Sequence, residues 1–463
     1  MIVLPLLRFG KENSVEIQLS EHFTYGKLLR FVCPSIIMMI FTSIYGVVDG
    51  IFVSNFTGSE SFAAVNLIMP LVMAVGALGF MLGTGGSALV AKTLGEGKTE
   101  QANQYFSMIV VVNVVAGVIL SVAGILFVRP IAMKLGATGH LLEDAVLYGR
   151  IMLAGNAAFM LQNSFQSFFP VAEKAKNGLY VTVAAGLTNM LLDFLFVAVF
   201  GWGIAGAAAA TVLSYFVGGI LPVFYFAREN TSRLRLVKTK LYGRQLLRSC
   251  ANGSSEMMTN LSMSVVNMLY NIQLMHLAAE NGVSAYGVIM YVNFIFAAVF
   301  LGYSIGCAPL VGYHFGAKNQ GELKNLLKKS VLLVAVAQIV MTLVAEVLAP
   351  VLAGIFVSYD KDLLEMTIHG FRLFSLSFLF MGMNIFGSAF FTALNNGGIS
   401  ALISFLRTLV FQVAAVLILP LMLGLDGIWL AIVVAEVLAL FVTAGLVIGY
   451  RKRYQYSSTA GSN

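Results

Sequence analysis

The chain has 463 residues, of which 59% are hydrophobic and only 11% are charged, and its formal net charge is +7. Soluble domains carry about 25% charged residues, so this composition excludes an ordinary soluble protein and favours a polytopic membrane protein. The three cysteines (Cys33, Cys250 and Cys307) form no pattern of metal ligands, and we interpret them as small apolar residues.

Windows of roughly 20 apolar residues recur along the whole chain, and each is long enough to cross ~30 Å of hydrocarbon. Twelve spanning helices are predicted, near residues 28–54, 62–91, 104–128, 146–170, 178–201, 204–227, 246–279, 284–313, 328–357, 367–394, 398–424 and 427–450. The predicted fold class is therefore an all-α integral membrane protein.

Residues 1–24, which begin MIVLPLLRF, precede the first apolar window. Their apolar stretch is too short for a secretory signal, and no clear small-residue cleavage site follows it. We expect five regions along the chain: a cytoplasmic segment at 1–24, an N-lobe at 25–227, a cytoplasmic linker at 228–245, a C-lobe at 246–450 and a cytoplasmic tail at 451–463.

Lysine and arginine are concentrated in alternate loops. They lie at Lys92 and Lys98, Lys174 and Lys176, Arg228 to Arg248, Lys318 to Lys329, and Arg451 to Arg453. The short connections between them, such as SNFTGSES, GWG, AAENGVS and LGLDG, contain neither residue. This positive-inside pattern predicts a multi-pass protein of the cell membrane with both termini in the cytoplasm. It also accounts for the net charge, so nucleic acid is not an expected partner.

The two halves of the chain repeat each other at an offset of about 221 residues. LVAKTLG at 89–95 matches LVGYHFG at 310–316, and VVD at 47–49 matches VVN at 265–267 at a slightly shorter offset. Six helices in each half make the halves parallel repeats, related by a pseudo-two-fold axis along the membrane normal. Such repeats place a substrate site at their interface and work by alternating access, which predicts a transporter.

Few charged residues lie inside the predicted spans, and such residues are costly there, at least ~2.5–3.5 kcal/mol at the bilayer centre. Apart from basic residues close to the ends of the spans, they are Asp49, Asp193, Glu256, Glu346, Arg407 and Glu436. Asn189 precedes Asp193 by four residues and therefore shares its helix face. Asp49 and Asp193 can share a proton, or both can stay ionised around Na⁺ with the Asn189 oxygen. The alternative is an interhelical hydrogen bond that only fixes packing, worth ~0.6 kcal/mol.

Further polar residues point to a substrate cavity. Glu256 lies in a seventh helix rich in Ser, Asn and Thr, and its role is either contact with substrate or ion, or structural. Asn156, Gln162, Asn163 and Gln166 form a polar stripe on helix four, and the residues that we expect to line the cavity are Glu256, Gln162, Asn163, Gln166 and Asn267. Arg407 and Glu436 are expected to pair across helices eleven and twelve, in a structural role.

Neither an ATP site nor an enzyme centre is found. The stretch GTGGSALV at 83–90 lacks the lysine of a phosphate-binding loop, and we interpret its small residues as permitting close helix packing. No nucleophile, base or metal constellation appears, so an enzyme is not predicted. We expect no cofactor, and no metal beyond a possible Na⁺.

Two stretches carry a family resemblance: CPSIIMMIFTSIYGVVDGIFV at 33–53 and NMLLDFLFVAVFGWGIAGAAAAT at 189–211. With two six-helix lobes, they resemble the MATE (multidrug and toxic compound extrusion) family, in particular its MepA-like bacterial branch, over residues 25 to 450. The resemblance implies antibiotic-resistance-type export of organic, often cationic, amphipathic drugs in exchange for H⁺ or Na⁺. The alternative is a flippase of lipid-linked oligosaccharide or lipid from the same superfamily.

The resemblance also implies roles for individual residues. It assigns the coupling ion to Asp49, Asn189, Asp193 and Thr211, although Thr211 can equally bond back to its own helix. It associates Pro34 with bending of the first helix. Asn267 stands where the repeat would place a second Asp49, and Glu256 lacks an acidic partner in helix ten, so we expect coupling to be concentrated in the N-lobe. Expected partners are small-molecule drugs, organic cations and membrane lipids, with the protein acting as a monomer.

Overall fold

The structure is a computed structural model that describes residues 17–57, 59–358 and 360–456. The predicted N-terminal segment before residue 17 and the tail beyond residue 456 therefore lie outside the described residues. The N-terminal half contains α1 (Tyr25–Phe56), α2 (Ser59–Gly95), α3 (Thr99–Lys134), α4 (Gly139–Ala154), α5 (Asn156–Val171), α6 (Ala175–Asp193) and α7 (Gly203–Ala227). The C-terminal half contains α8 (Gly243–Gly316), α9 (Gln320–Val357), α10 (Lys361–Ser375), α11 (Phe378–Ala393), α12 (Gly397–Phe405), α13 (Gln412–Leu423), α14 (Leu425–Gly449) and α15 (Arg451–Tyr454).

The all-helical membrane fold is confirmed, with the predicted windows divided differently. Among the described residues, nine helices are long and apolar enough to span a membrane, or ten if α10 and α11 count as one span bent by 48°. The 74 residues of α8 contain the predicted helices seven and eight, separated by a break in which Ala279 has a φ of 49°. The number of twelve spans stays a prediction.

A single continuous helix over 146–170 was the wrong prediction. The chain breaks at Gly155, between α4 and α5. Glycine is a poor helix former, and here its missing side chain admits Val212 of α7, since a Cβ on Gly155 would lie 2.7 Å from that valine. The predicted helix ten, 367–394, is likewise interrupted between Ser375 and Phe378.

Two helices contain a wide turn next to polar residues. A π-helical segment, Phe194–Val199, follows directly after Asp193, and a second, Leu406–Phe411, contains Arg407. Such widened turns are rare and occur often at functional sites. Asp193 and Arg407 therefore each lie at a local change of helix geometry.

The apolar core forms separate clusters in the two halves. Two clusters draw on residues 53 to 234, and a third lies around Trp429 and the stacked Phe296 and Phe378 in the C-terminal half. A fourth joins the start of α1, through Phe31 and Val32, to the ends of α8 and α11. The halves are thus individually packed lobes that share one cluster at the end where the chain enters α1.

Glycines bring the two lobes into backbone contact at that same end. A Cβ on Gly95 would lie 2.0 Å from the Tyr313 carbonyl oxygen, and one on Gly316 would lie 2.0 Å from that of Lys92. Earlier in α2, a Cβ on Gly85 would lie 1.9 Å from the Ser249 carbonyl oxygen. Only glycine permits such an approach. We call this α2–α8 contact the glycine seam; it confirms the prediction that the GTGGSALV stretch serves close packing.

The segment before α1 also connects the lobes. The Leu19 amide donates to Glu173 Oε1 (2.6 Å) after α5, and Arg233 Nε lies 3.0 Å from the same oxygen. The Phe23 amide donates to Glu322 Oε1 at the start of α9 (2.9 Å). With the glycine seam, these bonds close the protein at the end that carries the lysine- and arginine-rich loops.

Candidate functional site

The structure brings together all four residues of the predicted coupling site. Asp49 lies in α1, Asn189 and Asp193 in α6, and Thr211 in α7. The Asp49 and Asp193 carboxyl groups face each other and form a side-chain hydrogen bond when one of them is protonated. The spacing of Asn189 and Asp193 on one face of α6, predicted from the sequence, directs both toward α1 and α7.

The site contains more acceptor oxygens than hydrogen-bond donors. Neither carboxylate oxygen of Asp193, which is fully buried, accepts a hydrogen bond from any other described residue, and the Asn189 Oδ1 atom is also without a donor. Buried acceptors that lack a donor cost about 1–3 kcal/mol each, and more when charged. A bound proton or cation is the species that would satisfy them.

Thr211 connects the three helices. Its Oγ1 accepts from Asn189 Nδ2 (3.4 Å) and can donate either to Asp49 Oδ1 (3.2 Å) or to the Ala207 carbonyl oxygen of its own helix (3.0 Å). The back-bond considered from the sequence therefore exists beside the contact with the acid. A single hydroxyl proton serves one acceptor at a time, so Thr211 can release Asp49 without being left unpaired.

Tyrosines that the sequence analysis missed surround the acid pair. Tyr148 of α4 lies close to both aspartates, and Tyr215 of α7 lies close to Asp49. Tyr291 comes from the other lobe: its hydroxyl lies only 3.2 Å from where a Cβ on Gly50 would stand. The sole sequence signal was Gly50 beside Asp49, which cannot by itself indicate a partner more than 200 residues away.

A central cavity of about 370 Å³ lies between the lobes. Most of its wall is apolar and includes Met39, Phe80, Met263, Met290 and Phe294. Flexible, polarizable methionines let such a wall repack around differently shaped ligands. This cavity is large enough for a small organic molecule.

Four of the five residues predicted for the cavity line it. They are Glu256, Asn163, Gln166 and Asn267. Asn267 is held by the Tyr286 hydroxyl, which donates to its Oδ1 atom (2.8 Å). Gln162 turns instead toward α1, where its Nε2 lies 3.3 Å from the Tyr45 hydroxyl oxygen and its side chain packs on Gly218. Gln162 thus faces the helix of Asp49 rather than the cavity.

Pro34 lies in the early turns of α1, which stays helical through it to Phe56. Its neighbours Ser35 and Ile36 contact α8 at Gly302, where a Cβ would lie 2.5 Å from the Ile36 Cα atom. Proline removes one backbone hydrogen bond from the helix. The turn of α1 that lacks this backbone hydrogen bond therefore lies beside an interlobe contact.

A model of the family described as MatE matches this chain twice, over residues 34–195 and 257–418. The chain belongs to the MatE family. One match falls in each lobe, in agreement with the internal repeat, and together they cover well over half of the sequence.

Curated relatives extend over almost the whole chain. The multidrug export protein MepA of Staphylococcus aureus strain MSSA476 is 21% identical over 430 residues, covering 93% of this chain and 94% of the relative. MepA of Staphylococcus haemolyticus strain JCSC1435 is 22% identical over 437 residues, covering 94% and 95%.

Solved MATE structures share the fold. A crystal structure of MATE in complex with MaL6 superposes with a TM-score of 0.90 at 23% identity, covering 96% of this chain and all of the other. An outward-facing multidrug resistance MATE family transporter of the MOP superfamily gives a TM-score of 0.89 at 24% identity, with the same coverage. As a member of the MatE family with this fold, the protein is a multi-pass membrane transporter with a two-lobe helical structure, and not an enzyme.

The C-lobe of this MATE protein holds the predicted ion pair. Arg407 Nε lies 2.8 Å from Glu436 Oε1 and 3.0 Å from Oε2, and both side chains border the central cavity. Asn384 Nδ2 donates to Glu436 Oε2 (2.7 Å). The pairing prediction is confirmed, and Asn384 is an additional partner.

Replacing Glu436 by Gln is expected to destabilise the protein by about 1.5–3 kcal/mol, because Arg407 would lose a hydrogen-bonded charge partner. Thermal unfolding in detergent measures the effect. The double change Arg407→Met and Glu436→Gln is expected to recover part of the loss, since no unpaired charge remains. Equal melting temperatures for wild type and Glu436→Gln would contradict the structural role of the pair.

Proposed function

We propose that this protein is a secondary active multidrug antiporter, which exports organic, often cationic, amphipathic compounds in exchange for H⁺ or Na⁺. The observation that carries the proposal is the buried Asp193 carboxylate, which lacks a hydrogen-bond donor and faces Asp49. Two carboxyl groups inside a membrane carry a large free-energy cost unless a proton or a cation binds to them. The names of the MepA relatives support drugs as the transported class.

The cavity supports organic cations as substrates. Its wall is mostly apolar, and it contains the carboxylate of Glu256, which has Arg407 as a charged neighbour. An amphipathic cation would place its apolar part against the methionines and phenylalanines and its charge near Glu256. The carboxylate pair of the coupling site lies in the N-lobe, apart from these residues.

The transport cycle would link the two sites through the packing of the helices that carry the coupling residues. Binding of H⁺ or Na⁺ at Asp49, Asn189, Asp193 and Thr211 would satisfy the unpaired oxygens and change how α1 and α6 pack. Protonation supplies the donor that the two carboxylates lack, whereas Na⁺ would take oxygen ligands from all four side chains. No cofactor enters this scheme.

We assign the lysine- and arginine-rich end to the cytoplasm, with both termini there and the protein in the cell membrane. The regions 25–227 and 246–450 are proposed to be the moving lobes, joined by the linker 228–245, within one monomer. With the glycine seam closed at the cytoplasmic end, the described conformation would be outward-facing.

Export of a fluorescent organic cation from proteoliposomes tests the proposal. A proton gradient and a sodium gradient are applied separately, and one of them is expected to drive export well above protein-free vesicles. A potassium gradient of equal size is the control for osmotic and leak effects. If neither ion gradient moves the cation, the antiporter proposal fails.

The flippase of lipid-linked oligosaccharide is less well supported by the cavity. A pyrophosphate ligand needs cationic side chains that are free to bind it. Among the described residues that line the cavity, Arg407 is the only cationic one, and it is already bonded to Glu436. Transfer of a labelled lipid-linked phosphate across the vesicle membrane in the same assay, without an ion gradient, would favour the flippase instead.

A further inference from the structure

A second cavity opens on the outer surface of the C-lobe, away from the central one. It has a volume of about 200 Å³ and lies between α9, α11 and α14. The lining side chains, apart from Thr443, are apolar and include Leu327, Val331, Phe386 and Phe390. We call it the α9–α14 crevice.

The floor and the rim of the crevice differ in exposure. Phe386 and Phe390 are buried at the floor, and Gly387 between them leaves no room for a Cβ, which would lie 2.3 Å from Thr443 Cγ2. At the rim, Val331 is 40% exposed and Ile448 58% exposed. The crevice is therefore open toward the lipid that surrounds a membrane-spanning lobe.

Cationic side chains lie one helical turn beyond the crevice. Lys324 precedes Leu327 by three residues and Val331 by seven, which places all three on one face of α9. Arg451 follows Val447 by four residues and is exposed. A hydrogen bond from Gln320 Nε2 to Gln455 Oε1 draws the start of α9 and the end of α15 together.

These cations are available for a ligand. Within the described part of the chain, neither Lys324 nor Arg451 forms an ion pair with an acidic side chain. Glu322, the acid nearest to Lys324 in sequence, is already bonded to His22 (2.6 Å) and to the Phe23 amide. An anionic group placed here would meet two uncompensated positive charges.

We propose that the α9–α14 crevice binds an anionic phospholipid of the cytoplasmic leaflet, with an acyl chain between Leu327, Phe390 and Val447 and the phosphate between Lys324 and Arg451. The apolar crevice and the adjacent cations match the two parts of such a lipid. The proposal depends on the cytoplasmic assignment of this end and is independent of the drug and ion that are transported.

A chain of hydrogen bonds connects the crevice to the wall of the central cavity. Thr443 at the crevice wall donates to Asn384 Oδ1 (3.0 Å), and Asn384 in turn donates to Glu436, which borders the cavity. A lipid at the crevice would thus stand behind the hydrogen-bond network that holds Arg407.

Native mass spectrometry of the purified full-length protein tests the site by titration with phosphatidylglycerol and with phosphatidylcholine of the same acyl chains. The wild type is expected to bind phosphatidylglycerol more tightly. Lys324→Gln and Arg451→Gln are each expected to weaken that binding about fivefold, as for loss of one cation at an anionic lipid, and the double variant to abolish the preference. Arg228→Gln, an exposed cation elsewhere at the same end, is the matched control.

A second variant tests the acyl-chain part. Ala444→Trp places a large side chain in the crevice and is expected to weaken binding of both lipids, whereas Leu438→Trp, on the opposite face of α14, is not. Equal affinity of the wild type for the two lipids, or cation variants that behave like Arg228→Gln, would overturn the proposal. Because Lys324 and Arg451 are exposed, their variants keep the test valid even if Ala444→Trp fails to fold.

Discussion

Replacement of Asp193 by Asn is expected to reduce ion-driven export to the level of protein-free vesicles, while the affinity for the organic cation stays close to that of the wild type. The amide preserves the size of the side chain but cannot take up and release a proton or carry the charge that holds Na⁺. Asp49→Asn is expected to behave in the same way, because the two carboxyl groups form one site. Vesicle export and equilibrium binding of the same fluorescent cation measure the two effects.

Asp144→Asn provides the matched control. Asp144 is an aspartate of the same lobe that accepts a hydrogen bond from Ser61 (2.6 Å) and stands outside the coupling site. Its variant is expected to export normally. Normal export by Asp193→Asn would show that the acid pair only fixes helix packing, and equal loss in all three variants would indicate general damage to the lobe.

Alanine at Gly95 is expected to open the glycine seam. Its Cβ would stand 2.0 Å from the Tyr313 carbonyl oxygen, a separation that the backbone can relieve only by moving the lobes apart. Overpacking of this kind costs about 1–3 kcal/mol, which lowers the ratio of closed to open protein about 5- to 150-fold. Export should fall, since each cycle must pass through the closed seam.

Spin labels at Lys98 and Lys318 measure the opening. Both residues are exposed, one in the loop after α2 and the other in the loop after α8. The label separation is expected to lengthen in Gly95→Ala and in Gly316→Ala, and to be unchanged in the control Gly354→Ala, whose Cβ meets no atom within 4 Å. An unchanged separation in both seam variants would mean that the seam accommodates the methyl group without opening.

The polar stripe on predicted helix four shows which side-chain contacts can be predicted from residue spacing and which cannot. Asn163 and Gln166 line the cavity, yet Gln162 at the edge of the same stripe faces Tyr45 on α1. Residues at i, i+1 and i+4 spread over about 100° of a helix surface, and a surface of that width can contact two neighbours at once. The spacing of these residues predicts which face of the helix is polar. Packing against α1 and α7 determines which neighbour each polar side chain contacts.

The positions at which helices are interrupted could not be predicted from hydropathy either. Apolar windows predict how much chain lies in the membrane, but the break at Gly155 and the turn at Ala279 depend on contacts with neighbouring elements. Hydropathy is a sum over residues and does not change when a helix bends. The widened turn after Asp193 escaped prediction for the same reason.

The sequence alone predicts that this protein is a membrane transporter made of two repeats, with Asp49 and Asp193 among its costly intramembrane acids. These properties follow from composition, period and offset, which are local or additive along the chain. The three-dimensional packing was needed to show that Gly95 and Gly316, equivalent in the repeat, meet the opposite lobe at Tyr313 and Lys92. It was also needed to show that Tyr291 of the C-lobe lies beside Gly50 and Asp49. Contacts between lobes depend on how two packed bodies fit against each other, and residues more than 200 positions apart carry no sequence spacing that encodes that fit.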